Sequence, residues 1–348
     1  MRDLSIIEGP YLRDILSQPQ ALQDTLQRLE NSPPLEKVAD RLSRGEFQRI
    51  LLTGMGASLH ALYPITLELV DRGFTAMMVE TSELIHYQSS LLDRKTLIIA
   101  VSQSGQSAEI VRLLAQNRGS ASLIAVTNNS DSLLAQRADA VVQTFAGDEF
   151  SVSCKTYVTA LMGLKWLGDL LCKKDLRRTR QELKRTVTAS STFLSKWEAH
   201  VHSLMPRFEG IANFFLVGRG PSLAAVSAGS LIIKESTHVP AEGMSSASFR
   251  HGPFDTLSSR TFVLVFAGEA RTRQLNRKLL QDIREQRAPA EIVGEKESPR
   301  ALQLPAAPGS VRSILEILPV QMATLALGLR DRREPGRFSL LSKITTVE

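Results

Sequence analysis

The chain of 348 residues is 43% hydrophobic and 22% charged, with 21 Gly, 15 Pro and two cysteines, which excludes collagen-like, mucin-like, disordered and disulfide-built classes. At about 100–200 residues per domain the length predicts two domains, and no uninterrupted apolar run approaches the ~18 residues of a membrane span. The net charge of +6 invites a nucleic-acid reading, but seven basic residues within 173–185, set against Asp175 and Glu182, supply five of those charges.

In chain order, the N-terminus meets Arg2, Asp3, Glu8 and Arg13 and lacks the apolar core of a signal peptide, so a cytoplasmic location is expected. Residues 1–48 read as helices. Apolar spacing near 3.6 runs over 16–29, and Ser32-Pro33-Pro34 breaks it and starts another helix. Next, Ile50-Leu51-Leu52-Thr53-Gly54-Met55-Gly56-Ala57-Ser58 is a buried strand running into a Gly-rich turn. Further strands are expected at 76–80, 96–101, 123–127 and 140–143, with a helix over 107–117. Strand and helix alternate as in a parallel, doubly wound sheet. The basic segment carries no aromatic residue to stack on bases, so it reads as a solvated helix face. No nucleic acid and no membrane is expected as partner.

The pattern then returns. Phe214-Phe215-Leu216-Val217-Gly218-Arg219-Gly220-Pro221-Ser222-Leu223 repeats the strand and its turn, with Gly218 lying 164 residues after Gly54. The apolar run at Thr96 has its counterpart at Thr261, 165 residues on. Two segments at nearly one offset predict a duplicated domain. The copies differ after the third run. The first continues Ser102-Gln103-Ser104-Gly105-Gln106-Ser107, the second Ala267-Gly268-Glu269-Ala270-Arg271-Thr272. Three hydroxyls and a Gly where a strand enters a helix suit a phosphate, because free N–H groups and the helix dipole both favour an anion. A helix cap would need only one of those hydroxyls. Neither Gly-rich turn is a dinucleotide fingerprint, and no phosphate-binding Gly-x-x-x-x-Gly-Lys loop is present.

Duplicated α/β domains with Ser102-Gln103-Ser104-Gly105 in the first resemble the sugar isomerase (SIS) family. Within it, the chain resembles the isomerase half of glucosamine-6-phosphate synthase and stand-alone amino-sugar-phosphate deaminases and isomerases. The likeness also rests on 151–155, Lys234-Glu235, His251-Gly252-Pro253 and the tail Lys343-Ile344-Thr345-Thr346-Val347-Glu348. It implies an α/β fold of two tandem SIS domains, each a doubly wound parallel sheet flanked by helices. The expected divisions are N-terminal helices (1–48), first SIS domain (49–154), connecting helices (155–208), second SIS domain (209–332) and a tail closing the active site (333–348). By resemblance, Ser102, Gln103, Ser104 and Ser107 hold a sugar phosphate, and Ser58 and Ser153 contact the sugar. Glu235 is the base that moves a proton between C1 and C2, His251 assists ring opening from the other subunit of a homodimer, and Lys343 sits at the sugar carbonyl.

Three departures shape the expected reaction. The synthase's glutaminase begins with a cysteine directly after Met, and here Arg2 stands in that place, so amide transfer from glutamine is not expected. Ile232 and Ala228 replace charged residues of the synthase's active-site helix. Cys154 stands where the synthase has Thr, and both Cys154 and Cys172 read as packing residues. His60, His86, His200, His202 and His238 lack ligand spacing, and neither a metal nor a cofactor is expected. The expectation is an enzyme converting a hexosamine 6-phosphate, such as glucosamine 6-phosphate, to fructose 6-phosphate and ammonia. A fructosamine-phosphate deglycase, a ketose/aldose phosphate isomerase and a non-catalytic sugar-phosphate sensor are the alternatives.

Overall fold

A computed structural model of the chain describes residues 3–296 and 298–337. Its contacts group into two compact units. One, comprising Gln20–Glu149 and Cys154–Lys184, holds five parallel strands: β1 (Arg49–Gly54), β2 (Ala76–Glu80), β3 (Thr96–Val101), β4 (Ser122–Thr127) and β5 (Ala140–Gln143), in the order β2-β1-β3-β4-β5. The other, comprising residues 3–19, Phe150–Ser153 and the described residues of 185–337, holds four: β6 (Asn213–Gly218), β7 (Ala241–Ser245), β8 (Thr261–Phe266) and β9 (Ala290–Val293). Their order is β7-β6-β8-β9, again all parallel.

The central strands show why the sequence folds this way. A parallel sheet is covered on both faces, so its middle strands are apolar throughout rather than alternating. Both β3 and β8 are buried at every position, while the edge strand β2 is only half-buried along most of its length. The two sheets also share a register: Arg49 pairs with Thr96 in one, and Asn213 with Thr261 in the other. These are the same positions that the 164- and 165-residue offsets connect.

The first helical stretch differs from its expected course. The apolar period over 16–29 suggests one helix, whereas the chain forms Pro10–Leu16, turns at Ser17 and restarts as Gln18–Arg28. Pro19 explains the break, since it has no N–H to donate and its ring obstructs the preceding turn. Pro33 instead begins the helix Pro33–Ser43, a position that favours proline.

Each sheet rests on a long buried helix. Lys155–Leu171 is buried at nearly every position, and a Cβ on Gly163 would come within 3.1 Å of Val142. Arg312–Asp331 is buried from Ser313 to Leu329 in the unit of the four-stranded sheet. With the turn before it, this second helix is long and apolar enough to cross a membrane, yet 94% of its apolar window is buried inside the protein, as in a core helix.

Six of the segment's seven basic residues are exposed, as a solvated face requires, yet some of them also bind other parts of the fold. Lys173 pairs with Asp40 at 2.6 Å, and Lys174 bridges Glu68 at 2.6 Å and Asp169 at 3.2 Å. From the helix Leu176–Leu194, Arg180 donates to the carbonyls of Leu26 and Leu29 and lies 5.0 Å over the Trp166 ring. Arg177 is exposed. The expected solvated face is thus in part a clasp holding the helix to its own unit.

Candidate functional site

In an open parallel sheet, ligands bind beyond the carboxyl ends of the strands where the strand order reverses. In the five-stranded sheet that point lies between β1 and β3. The loop 102–107 leaves β3 there, and the turn 54–58 leaves β1. A Cβ on Gly54 would come within 3.0 Å of the Val101 carbonyl and 3.1 Å of Ser58, so only glycine lets the two strand ends approach this closely. Four expected ligand-binding residues, Ser102, Gln103, Ser104 and Ser107, therefore share one loop, and Ser58 lies at the adjacent strand end.

The loop is folded by its own serines. Ser102 Oγ accepts from the Gly105 N–H at 3.1 Å and Ser104 Oγ from the Gln106 N–H at 3.3 Å. Each hydroxyl still has its own hydrogen to donate, which is what an anionic oxygen requires. Ser107 precedes the helix Ala108–Asn117, and its side chain does not cap it. The positive end of the helix is therefore not closed by the Ser107 hydroxyl. Ser102 is buried, whereas Gln103, Ser104 and Ser107 are partly exposed.

Residues that the sequence reading did not single out brace this loop. The Gln103 carbonyl accepts from Asn128 N–H and Thr127 Oγ1, both at 3.3 Å, and the Gly105 carbonyl from Leu134 N–H at 3.2 Å. Gly105 has φ +63°, and a Cβ there would sit 2.2 Å from Ser132 Oγ. The signal for these braces was present in Thr127-Asn128-Asn129-Ser130, a polar turn directly after an apolar strand.

Glu235, His251 and Ser153 belong to the other unit. Glu235 lies in the last turn of the helix Leu223–Thr237, half-buried, and no described residue hydrogen-bonds or ion-pairs with its carboxylate. Burial pushes its carboxyl above the usual glutamate range, against the lowering influence of the Lys234 charge. A carboxylate raised in this way is a better proton acceptor near neutrality than a solvated one. Ile232 and Ala228 on the same helix are fully buried, so no cation on those two positions accompanies Glu235. His251 is exposed, in the turn after the short helix Ser246–Phe249, and its N–H bonds the Ser248 carbonyl at 3.0 Å. Ser153 is partly exposed. Lys343 lies outside the described residues.

The two cysteines are buried and neither is in a disulfide. Cys154 donates its backbone N–H to Glu149 Oε1 at 2.9 Å, and burial pushes the Cys172 thiol up. His200 stacks on Phe193 with ring centroids 4.4 Å apart, a packing role. Among the described residues no group of three or more His, Cys, Asp or Glu is placed to hold a metal ion.

Residues 46–167, which include the whole five-stranded sheet, match the SIS domain family. Over 97% of its length the chain is 31% identical to a glutamine–fructose-6-phosphate aminotransferase (isomerizing) of Pyrococcus horikoshii, and it spans 57% of that protein's length. In structure it is similar to the C-terminal domain of glucosamine-fructose-6-phosphate aminotransferase from Francisella tularensis, with a TM-score of 0.82, 17% identity and coverage of 95% of this chain and 98% of that one. It is likewise similar to glucosamine-6-phosphate deaminase from Thermotoga maritima, with a TM-score of 0.80, 16% identity and coverage of 97% and 100%. These structural likenesses establish the fold alone. Residues 46–167, with the five-stranded sheet, are a SIS domain.

Proposed function

We propose that this protein is an amino-sugar-phosphate deaminase and isomerase built from two tandem SIS domains. The reading is carried by the loop 102–107, which offers several hydroxyl donors at a helix start beside the strand-order reversal. Ser102, Gln103, Ser104 and Ser107 take the 6-phosphate, and Ser58 and Ser153 contact the sugar. The shared order and pairing register of the two sheets support the tandem arrangement.

The reaction follows from moving one proton. His251, reaching in from a second subunit, opens the sugar ring. Glu235 removes the C2 proton of the open-chain amino aldehyde, electrons shift through an enolamine, and the same carboxyl returns a proton to C1. The result is a C2 imine, which water hydrolyses to the ketone, giving fructose 6-phosphate and ammonia. Lys343 positions the open chain. The raised pKa of Glu235 suits this task, because a base must also give its proton back.

Incubation with glucosamine 6-phosphate, a fructosamine phosphate and a ketose phosphate, each assayed for product, tests the reading. Ammonia and fructose 6-phosphate released in equal amounts from glucosamine 6-phosphate is the expected result. Turnover of only the ketose phosphate reassigns the protein as a simple isomerase. Binding without turnover across the panel contradicts catalysis and leaves a sensor.

A further inference from the structure

The four-stranded sheet has its own strand-order reversal, between β6 and β8, and the residues gathered there are unlike those of the hydroxyl loop. The loop after β8 turns at Gly268, with φ +66°. Its carbonyl accepts from Arg312 Nη1 at 2.7 Å and Arg273 Nη2 at 3.5 Å. One carbonyl therefore holds two guanidinium groups side by side, from helices far apart in sequence. The turn after β6 supplies Arg219, whose carbonyl would lie 3.7 Å from a Cβ on Gly268. The same turn supplies Ser222, which donates to Glu316 Oε1 at 2.9 Å.

Four side-chain atoms on residues of these turns and helices, and of the turn after β9, are buried and have no hydrogen-bond partner among the described residues: Arg219 Nε, Arg273 Nε, Glu295 Oε1 and Glu316 Oε2. Arg273 Nε and Glu295 Oε1 face each other at 3.7 Å, beyond hydrogen-bond length. Glu316 is 2% exposed. A buried donor or acceptor without a partner costs about 1–3 kcal/mol, so such groups are normally satisfied by protein, water or ligand. Several together, where a parallel sheet binds ligands, mark a place built to be filled. Burial pushes the Glu316 carboxyl up to about 7, against the Ser222 hydrogen bond and the Arg312 charge.

We propose that this strand-end crevice is a second ligand site, taking a small anion that also carries hydroxyl groups, a sugar phosphate or a sugar acid. Arg219, Arg273 and Arg312 receive the anionic group, for which a planar guanidinium fork is suited. Glu316 Oε2, which has no hydrogen-bond partner among the described residues, receives a hydroxyl, and Glu295, ion-paired with Arg273 at 3.7 Å and Arg277 at 2.6 Å, holds the arginine side of the site. This site stands on the second sheet alone and does not rest on the function proposed above.

Calorimetric titration of the full chain with gluconate and with fructose 6-phosphate tests it, the two probes separating a carboxylate from a phosphate. The expected result, for at least one probe, is a class of sites that Arg312→Met and Arg219→Met each weaken about tenfold or more, an interaction of ~1.4 kcal/mol or more. Ser104→Ala, in the other unit, is expected to leave that class unchanged. The Arg219 side chain makes no hydrogen bond among the described residues, so Arg219→Met removes no structural bond, and Arg219→Lys is expected to restore part of the affinity. The proposal is overturned if neither probe binds, if both arginine variants bind as the wild type does, or if Ser104→Ala abolishes the same class of sites.

Discussion

Glu316 shows how one buried carboxyl sets a pH dependence. Burial is the main cause of its rise to about 7, and Glu269 adds to it, while the Ser222 hydrogen bond and the Arg312 charge oppose it. The folded protein therefore holds this proton more tightly than the unfolded chain, whose glutamates titrate near their ordinary value. The resulting stability is fully present below about pH 4.5 and is lost as pH rises through about 7, a change on the order of 3 kcal/mol. Glu316→Gln keeps an oxygen for Ser222 and removes the titration. Thermal unfolding between pH 4.5 and 8 is expected to show a downward slope in the wild type that flattens in this variant; equal slopes would show that Glu316 is not its source. Nothing in the sequence marked this residue. It lies within an apolar helical run, and only the fold brings Ser222 against it; Arg312 stands one turn before it on the same helix.

At the level of elements, legibility tracked burial. The central strands β3 and β8 could be read at their observed bounds, because continuous apolar runs between polar turns admit little else. The break at Ser17 was hidden because an apolar period of 3.6 persists across it while Pro19 interrupts the hydrogen bonding. The loop 102–107 was legible in composition, but its bracing by Thr127, Asn128 and Leu134 comes from the neighbouring strand end and the turn after it, which only the sheet order brings alongside. The helix Leu176–Leu194 was read as a solvated face, since charge alone does not reveal a cation that stacks on Trp166 and serves two carbonyls. Its clasp is testable. Arg180→Ala strands the carbonyls of Leu26 and Leu29 and is expected to cost about 2 kcal/mol, read as a lower urea midpoint at constant slope. Arg177→Ala, at an exposed position, is expected to shift stability by less than about 0.5 kcal/mol. Equal effects from both would contradict the clasp.

Across the whole chain, two sheets of matching order and register carry different chemistry at equivalent strand ends. One has serine hydroxyls beside a helix start, the other arginines beside buried carboxyls. The two matching sheets were legible because two glycine turns and two apolar runs recur at nearly one offset. The sequence also kept Glu235, His251 and Lys343 in view only through resemblance, since a lone Glu, His or Lys has no pattern of its own. If His251 acts from the partner in a homodimer, mixing inactive Glu235→Gln and His251→Asn proteins is expected to restore about a quarter of wild-type activity in statistically mixed hybrids, with one intact site each. No recovery in mixtures shown to have exchanged subunits would place both residues in one chain's site.

In the proposed function Glu235 moves a proton on the bound sugar phosphate. Nuclear magnetic resonance of fructose 6-phosphate with ammonium in deuterated water tests this step. The wild-type protein is expected to exchange a C1 proton for deuterium, and Glu235→Gln to slow this by about a hundredfold or more. No exchange in the wild type, or undiminished exchange in Glu235→Gln, would contradict it.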